Sequence, residues 1–462
     1  MTLREQAEAI WNAGVSAVNS ATLVSRSVVR TATSITICDE EFPLKNLSRI
    51  VVVGAGKAGA GMAAGFEAAI GSDLALSKLV GWVNVPADCV RSLQKIHLHA
   101  ARPAGINEPT IDGVRGTERI LQLVQNLTGN DLCVVLLSGG GSALLPAPID
   151  GISLDDKRLV TQSLMQSGAN IGDINTVRKR LSRIKGGGLA RAARAGRMMT
   201  LIISDVIDDP LDIIASGPTV HNQGTAQDAV AVLERYLGRD SSEQVVPESV
   251  WRVLDKQVAG SRERDLSFAN SNTVTCSNRV IGNNLTALNA AADEARRLGL
   301  DVRILGANRG GTAREVGIEL AERCLVARDE RRSQGICFLG GGEPVVKLAV
   351  TNRPRRGGRN QEVSLAAGVR WVGEKIERCA VFSAGTDGED GPTDAAGACF
   401  DADVQQVAVD RQLSLSEFLA INDSYTFFEQ TKGLFKTGPT HTNVMDLQIA
   451  IVAGIQTDSG QF

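Results

Sequence analysis

Arg49-Ile50-Val51-Val52-Val53-Gly54-Ala55-Gly56-Lys57-Ala58-Gly59 reads as a buried strand, a tight turn and a helix start in succession. Ile50 to Val53 are β-branched and apolar without alternation, the mark of a strand covered on both faces, as in a parallel sheet. The glycines let the chain turn and bring backbone amides close to an anion. The small residues after Lys57 open a helix whose first N–H groups favour negative charge. Strand, turn and helix in that order begin a βαβ unit.

The same alternation recurs along the chain. Strands are expected over 49–53, 79–85, 132–137 and 199–203, with helices over 57–69, 108–125 and 154–165, which makes an N-terminal doubly wound, Rossmann-like domain. Strand signals then fade into polar sequence at Arg239-Asp240-Ser241-Ser242-Glu243 and Arg262-Glu263-Arg264-Asp265. A second α/β set follows: strands over 273–276, 301–305, 335–339, 345–350 and 380–382, with helices near 285–297 and 313–327. The reading is two domains, 1–240 and 273–462, joined by a linker over 241–272, with a largely parallel sheet pattern and the active site in the cleft between them. A chain of 462 residues fits that division, because single cores stop growing near ~250 to 300 residues.

Composition removes several function classes. Hydrophobic residues are 43% and charged residues 22%, an ordinary globular balance. No apolar run approaches the ~20 residues of a membrane span, so no membrane partner is expected. The net charge of −3 offers no basic footprint for nucleic acid. Eight cysteines are scattered without a C-x-x-C pair, and reduced core thiols are expected. His97 and His99 alternate on an expected strand without a third ligand nearby, and read as structural. The first thirty residues carry Arg4, Arg26 and Arg30, but Glu5 and Glu8 oppose a transit peptide. They read instead as an amphipathic helix with Trp11, Val15 and Val18 on one face, in a cytoplasmic protein, with a mitochondrial one left open.

The 48 glycines cluster where strands end, the place where open α/β sheets bind ligands. The first cluster, Gly54 to Gly59, matches G-x-G-x-x-G. A dinucleotide site also wants an acid at the end of the second strand; Asp73 precedes that strand and Asp88 lies beyond it. Lys57 inside the turn points to phosphate or carboxylate instead, and Ala58 excludes a Walker A loop. A purely structural turn remains open on this motif alone. Ser138-Gly139-Gly140-Gly141-Ser142 is a second nest of amides, or a flexible loop. Asp205 follows the strand over 199–203 and leads to Asp208-Asp209 and Ala215-Ser216-Gly217-Pro218-Thr219. Asn175-Thr176-Val177-Arg178-Lys179-Arg180, ahead of Lys185-Gly186-Gly187-Gly188, is a solvated basic face or a trap for an anionic substrate, with Arg178 the favoured contact. The second half adds Gly340-Gly341-Gly342-Glu343, Gly357-Gly358-Arg359-Asn360-Gln361-Glu362 and Thr386-Asp387-Gly388-Glu389-Asp390-Gly391-Pro392-Thr393-Asp394. Glycines, carboxylates and arginines at strand ends suit phosphoryl transfer, which needs positioning and charge neutralisation more than a potent nucleophile.

Taken together in this order, Gly-Ala-Gly-Lys-Ala at 54–58, Ser-Gly-Gly-Gly-Ser-Ala-Leu at 138–144, Asn-Thr-Val-Arg-Lys at 175–179, Ile-Ala-Ser-Gly-Pro-Thr at 214–219, Gly-Gly-Arg-Asn-Gln-Glu at 357–362 and the run over 386–397 resemble the glycerate 2-kinase family with its C-terminal MOFRL domain. The resemblance implies transfer of the ATP γ-phosphoryl group to the 2-hydroxyl of D-glycerate, with Mg²⁺. Carried onto this chain it implies Lys57, Asp205, Glu343, Arg359, Asp387 and Asn443 as functional positions. The expected catalytic set is Lys57, Asp205, Arg359 and Asp387. Substrate contacts are expected from Arg178, Asn443, Ser138, Gly140 and Ser142, and nucleotide contacts from Gly54, Gly56, Gly341, Gly342 and Glu343. Metal ligation is expected from Glu343, Asp387 and Asp390. A homodimer is compatible with this reading. Two positions depart from the family pattern: Asp208 and His441 each stand where it has glycine. The competing readings are an NAD(P)-dependent hydroxypyruvate reductase, from the literal G-x-G-x-x-G, and a non-catalytic sugar-phosphate sensor.

Overall fold

A computed structural model describes residues 1–239, 245–264 and 274–455. It divides into two compact units, Ser20–Ile281 and Met1–Asn19 with Gly282–Phe462. The division therefore falls at Ile281, later than the expected linker. Within 241–272 the helix Glu248–Arg264 instead adds Trp251 and Leu254 to a core with Val177, Val232 and Leu233. Residues 240–244 and 265–273, which include parts of both polar stretches, lie outside the described residues.

The Ser20–Ile281 unit opens with a small antiparallel sheet that the sequence pattern did not predict, β1 (Val28–Arg30), β2 (Ser34–Ile37) and β3 (Glu40–Pro43). Its main sheet comprises β4 (Ile50–Ala55), β5 (Leu79–Pro86), β6 (Ile96–Arg102), β7 (Leu132–Leu137), β8 (Arg197–Ile203) and β9 (Thr275–Gly282). They lie in the order β6-β5-β4-β7-β8-β9, with β6 to β8 paired in parallel. This is the doubly wound 3-2-1-4-5-6 order, in which the sheet reverses direction of growth between β4 and β7. Every residue of β4 and β7 is buried, as their unbroken apolar runs require. The strand expected at 273–276 is β9, so it completes this sheet and does not open the next. His97 and His99 on β6 face Trp82, with ring centroids at 4.1 and 5.2 Å.

The other unit holds β10 (Asp301–Arg309), β11 (Ile336–Gly342), β12 (Cys379–Gly385), β13 (Gly397–Phe400), β14 (Leu434–Phe435) and β15 (Asp446–Val452), in the order β10-β11-β15-β12-β13-β14. Among these strands only β10 and β11 pair in parallel; β15 runs antiparallel between β11 and β12. The largely parallel expectation therefore fails here. β13, β14 and β15 were unread; β15 is buried throughout its length and threads the centre of the sheet. Conversely, 345–350 forms no strand beyond one bridge from Val345 to Thr312. The N-terminal helix Leu3–Ala17 belongs to this unit: the Trp11 indole donates to the Ala384 carbonyl at 3.4 Å and meets the Phe435 ring edge-on at 5.0 Å. No helix among the described residues is long and apolar enough to cross a membrane.

Candidate active site

In the larger unit, the loops leaving β4 and β7 emerge side by side at the carboxyl ends of the two strands where the sheet reverses, the usual ligand position in such sheets. Gly54 is still strand: a Cβ there would sit 2.0 Å from the Leu136 carbonyl oxygen, so it secures close β4–β7 packing. Gly56 has φ 151°, and a side chain would strike Ser138 Oγ. That hydroxyl accepts from the Ala58 amide at 3.1 Å, while the Lys57 amide donates to the Gly139 carbonyl at 2.8 Å. Ser138, fully buried, therefore fastens one loop to the other and is not a substrate contact in this geometry. Gly140, at φ 76°, lies against the stem of Lys57: a Cβ there would stand 3.6 Å from Lys57 Cγ. The lysine is thereby laid along the second nest, beside Arg102.

Ser142 ends that nest and begins a polarised chain. Arg178 Nη2 and Lys185 Nζ each donate to Ser142 Oγ at 2.7 Å. With both lone pairs occupied, Ser142 must donate its own hydrogen, and Ser216 Oγ receives it at 2.7 Å. Ser216 in turn reaches Asn175 Oδ1 at 3.3 Å, which also accepts from Arg178 Nη1. Ala215 and Ser216 hold φ of 50° and 62°, a left-handed conformation that costs non-glycine residues energy and marks a segment fixed by its surroundings. Arg178, expected from sequence, is thus joined by Lys185, which the sequence showed only as the residue before three glycines. Lys157, on the helix Leu154–Gln166, is a third buried cation. Nothing in its sequence context distinguished it from a solvated lysine. Asp205 follows β8, as expected, and the next turn holds Asp208 and Asp209 at φ 63° and 51°.

In the other unit Arg359 opens the helix Arg359–Arg370. It is gripped bidentately by Asp446 (Nε to Oδ2 2.6 Å, Nη2 to Oδ1 3.0 Å), and Nη1 donates to Glu343 at 2.8 Å. Burial works against its charge, but Asp446 and Glu343 outweigh burial and hold its pKa above the ordinary value. Asp446 is fully buried and was not among the expected residues; its signal was a carboxylate at the start of an apolar run. Asp390 accepts from the Asn360 and Gln361 amides at 3.0 and 2.9 Å, so it caps the Arg359 helix. Burial, against those two amides, pushes Asp390 up to about 7. Asp387 turns back to its own loop, accepting from the Glu389 amide at 3.1 Å. Asn443 Oδ1 accepts from the Met445 amide at 3.1 Å, an Asx turn leading into β15. Gly341 and Gly342 belong to β11, where side chains would strike Asn284 and the Arg309 backbone; they permit close packing and form no nucleotide loop.

The expected metal trio is not preassembled. Asp390 serves a helix terminus, Glu343 serves Arg359, and among the described residues no three His, Cys, Asp or Glu side chains gather as a metal site. Mg²⁺ is commonly held by one or two carboxylates together with substrate phosphates, so a full protein cage is not a requirement.

The family model described as a domain of unknown function, DUF4147, matches residues 6–255, and the MOFRL family model matches 336–446. Glycerate kinase of Danio rerio is 36% identical over 504 residues, spanning 98% of each chain. D-glycerate 2-kinase of Thermotoga maritima is 34% identical over 418 residues, 89% of this chain and 93% of that one. A putative hydroxypyruvate reductase of Agrobacterium vitis is 40% identical over 416 residues, 89% of each. Among solved structures, the Thermotoga maritima glycerate kinase superposes with a TM-score of 0.80 at 32% identity, covering 98% of this chain and 99% of that one.

Proposed function

The chain belongs to the glycerate kinase family, and on that premise we propose that it moves the γ-phosphoryl group of ATP onto the 2-hydroxyl of D-glycerate, giving 2-phosphoglycerate and ADP. The observation that carries the reading is Lys57 laid along the 138–142 nest at the point where the sheet reverses. A cation beside backbone amides stabilises phosphoryl oxygens as charge shifts between them. In the proposed reaction the 2-hydroxyl oxygen forms a bond to the γ-phosphorus as the bond to the β-bridging oxygen breaks, and ADP leaves with that electron pair. Asp205 or Asp387 orients the hydroxyl and takes its proton. Lys57 and Arg359 neutralise the substrate carboxylate or the transferring phosphoryl group, Arg178 and Ser142 contact the substrate, and Asn443 donates to substrate or phosphate. Mg²⁺ would arrive on the ATP phosphates with Glu343 or Asp387 as protein contacts, supplying further neutralisation.

Incubation with Mg-ATP and D-glycerate, followed by separation of 2- from 3-phosphoglycerate, tests the proposal. Accumulation of the 3-isomer overturns the regiochemistry, and absence of ADP overturns ATP as donor. The name of the Agrobacterium relative keeps one second reading in view, reduction of hydroxypyruvate by NAD(P)H. Cofactor oxidation with hydroxypyruvate at a rate matching glycerate phosphorylation would favour it. The end of β5 carries no acid to hold a ribose, Asp88 lying beyond it, and this weighs against that outcome.

A further inference from the structure

Lys157, Arg178 and Lys185 sit together in the larger unit, and among the described residues no carboxylate stands between them. Lys157 and Lys185 are 8% and 3% exposed. Lys157 Nζ is buried with no hydrogen-bond partner among the described residues, although an ammonium carries three donors. Lys185 gives its donors to neutral oxygens, the Ser142 carbonyl and hydroxyl at 2.7 Å and Ser216 Oγ at 3.4 Å. Arg178 likewise bonds Ser142 and Asn175, both neutral, and no carboxylate among the described residues. Lys179, next to Arg178 in sequence and also buried, is by contrast paired, with Asp212 at 3.0 Å. Burial first, then the neighbouring cations, lowers the affinity of Lys157 and Lys185 for their protons. A protein does not ordinarily bury like charges unpaired, because the desolvation cost has nothing to offset it. An anion that enters to complete the cluster removes that cost.

We propose that Lys157, Arg178 and Lys185 form a seat for the carboxylate of the acceptor acid, and that Lys157 makes the enzyme select acids over neutral polyols. The proposal rests on the glycerate kinase reading and assigns what that reading left divided: the carboxylate goes to this seat, leaving Lys57 for the phosphoryl group. A carboxylate fits better than a polyphosphate. The guanidinium offers a planar fork matched to two oxygens, Lys157 adds a point charge, and the hydroxyl chain through Ser142 and Ser216 already has its hydrogens directed away from the cations.

The test uses the full-length protein and its Lys157→Met and Lys157→Arg variants, without ATP for binding and with it for turnover. D-glycerate alone should raise the melting temperature of the wild type, and its methyl ester should not. In Lys157→Met that rise should vanish and KM for D-glycerate should climb about 10- to 100-fold, as loss of a charged hydrogen-bond donor does, while KM for ATP holds. The ligand-free variant should melt at the same temperature or higher, because a buried unpaired charge has gone; Lys157→Arg should restore much of the glycerate response. A rise in KM for ATP instead would reassign the cluster to phosphate and overturn the seat. So would a glycerate-induced shift unchanged in Lys157→Met, or a sharp fall in its ligand-free melting temperature with both KM values intact. If D-glycerate binds in a Lys157-dependent way but is not phosphorylated, the seat stands and the kinase reading falls.

Discussion

Arg178 and Arg359 are both arginines beside glycine-rich segments, and their surroundings treat them in opposite ways. Arg178 is pushed below its ordinary pKa by burial and, among the described residues, donates only to neutral oxygens, with Lys185 donating to the same hydroxyl. Arg359 is held above its ordinary value, clamped by Asp446 and Glu343. An uncompensated cation leaves an electrostatic demand that a ligand meets. A compensated one is fixed in direction, so it suits a reaction in which a donor must wait at a defined angle.

Breaking the compensated side should have the largest effect. Asp446→Asn leaves the guanidinium with only its half-exposed partner Glu343, and breaking a buried pair typically costs about 3–5 kcal/mol. Chemical denaturation measures it; a loss under about 1 kcal/mol would mean that the clamp does not hold the unit together. In the larger unit, Lys57→Ala should lower kcat/KM by on the order of 10² or more, as loss of one charge-stabilising donor does. Turnover close to wild type would remove Lys57 from the mechanism.

The same contrast explains what the sequence made legible. β4, β7 and the loops after them were readable because local rules agree there: β-branched runs, then glycines where the backbone turns or approaches a neighbour. The order of residues along 54–58 and 138–142 carried the site. β15 was unread because its place, antiparallel between β11 and β12, depends on partners more than sixty residues away for β12 and about a hundred for β11. Lys157 and Asp446 were passed over for a related reason. Nothing local to a lysine on an amphipathic helix, or to an aspartate at a strand start, reveals whether a partner awaits it. Asp390 shows the converse error: its acidic, glycine-rich surroundings suggested a metal, while its geometry is that of a helix cap.

The two units should also differ in how pH acts on them. Lys157, faced by Arg178 and Lys185, has its pKa lowered to about 7 in the fold, against 10.5 for an ordinary lysine. Between those values the unfolded chain binds the extra proton, so this site's penalty is full below pH 7 and fades as pH rises toward 10.5. Asp390, raised to about 7 from 3.8 by burial first, faces Asp446 and Arg359 and has the reverse dependence. There the fold binds the extra proton, so stability is lost as pH climbs from about 4 to 7. Denaturation of Lys157→Met and Asp390→Asn against wild type across pH should show stability differences that change with pH only within those two windows. A Lys157→Met difference that stays flat from about pH 7 to 10 would mean the ammonium is fully charged in the fold.

The smallest expected effect concerns Asp208 and His441, the two motif positions read above as standing in place of glycine. Both adopt the left-handed backbone that glycine tolerates best: Asp208 at φ 63° and His441 at φ 58°. A left-handed residue costs roughly 1–2 kcal/mol, offset for aspartate by its short polar side chain, which bonds to nearby backbone. Restoring glycine relieves that strain but adds about 0.5–1 kcal/mol of unfolded-chain freedom. His441→Gly should therefore stabilise its unit slightly, by about 0.5 kcal/mol, whereas Asp208→Gly should be neutral or slightly destabilising. Equal shifts from the two would mean that side-chain chemistry, and not backbone strain, separates them, and would place His441 among the residues its loop holds for a purpose.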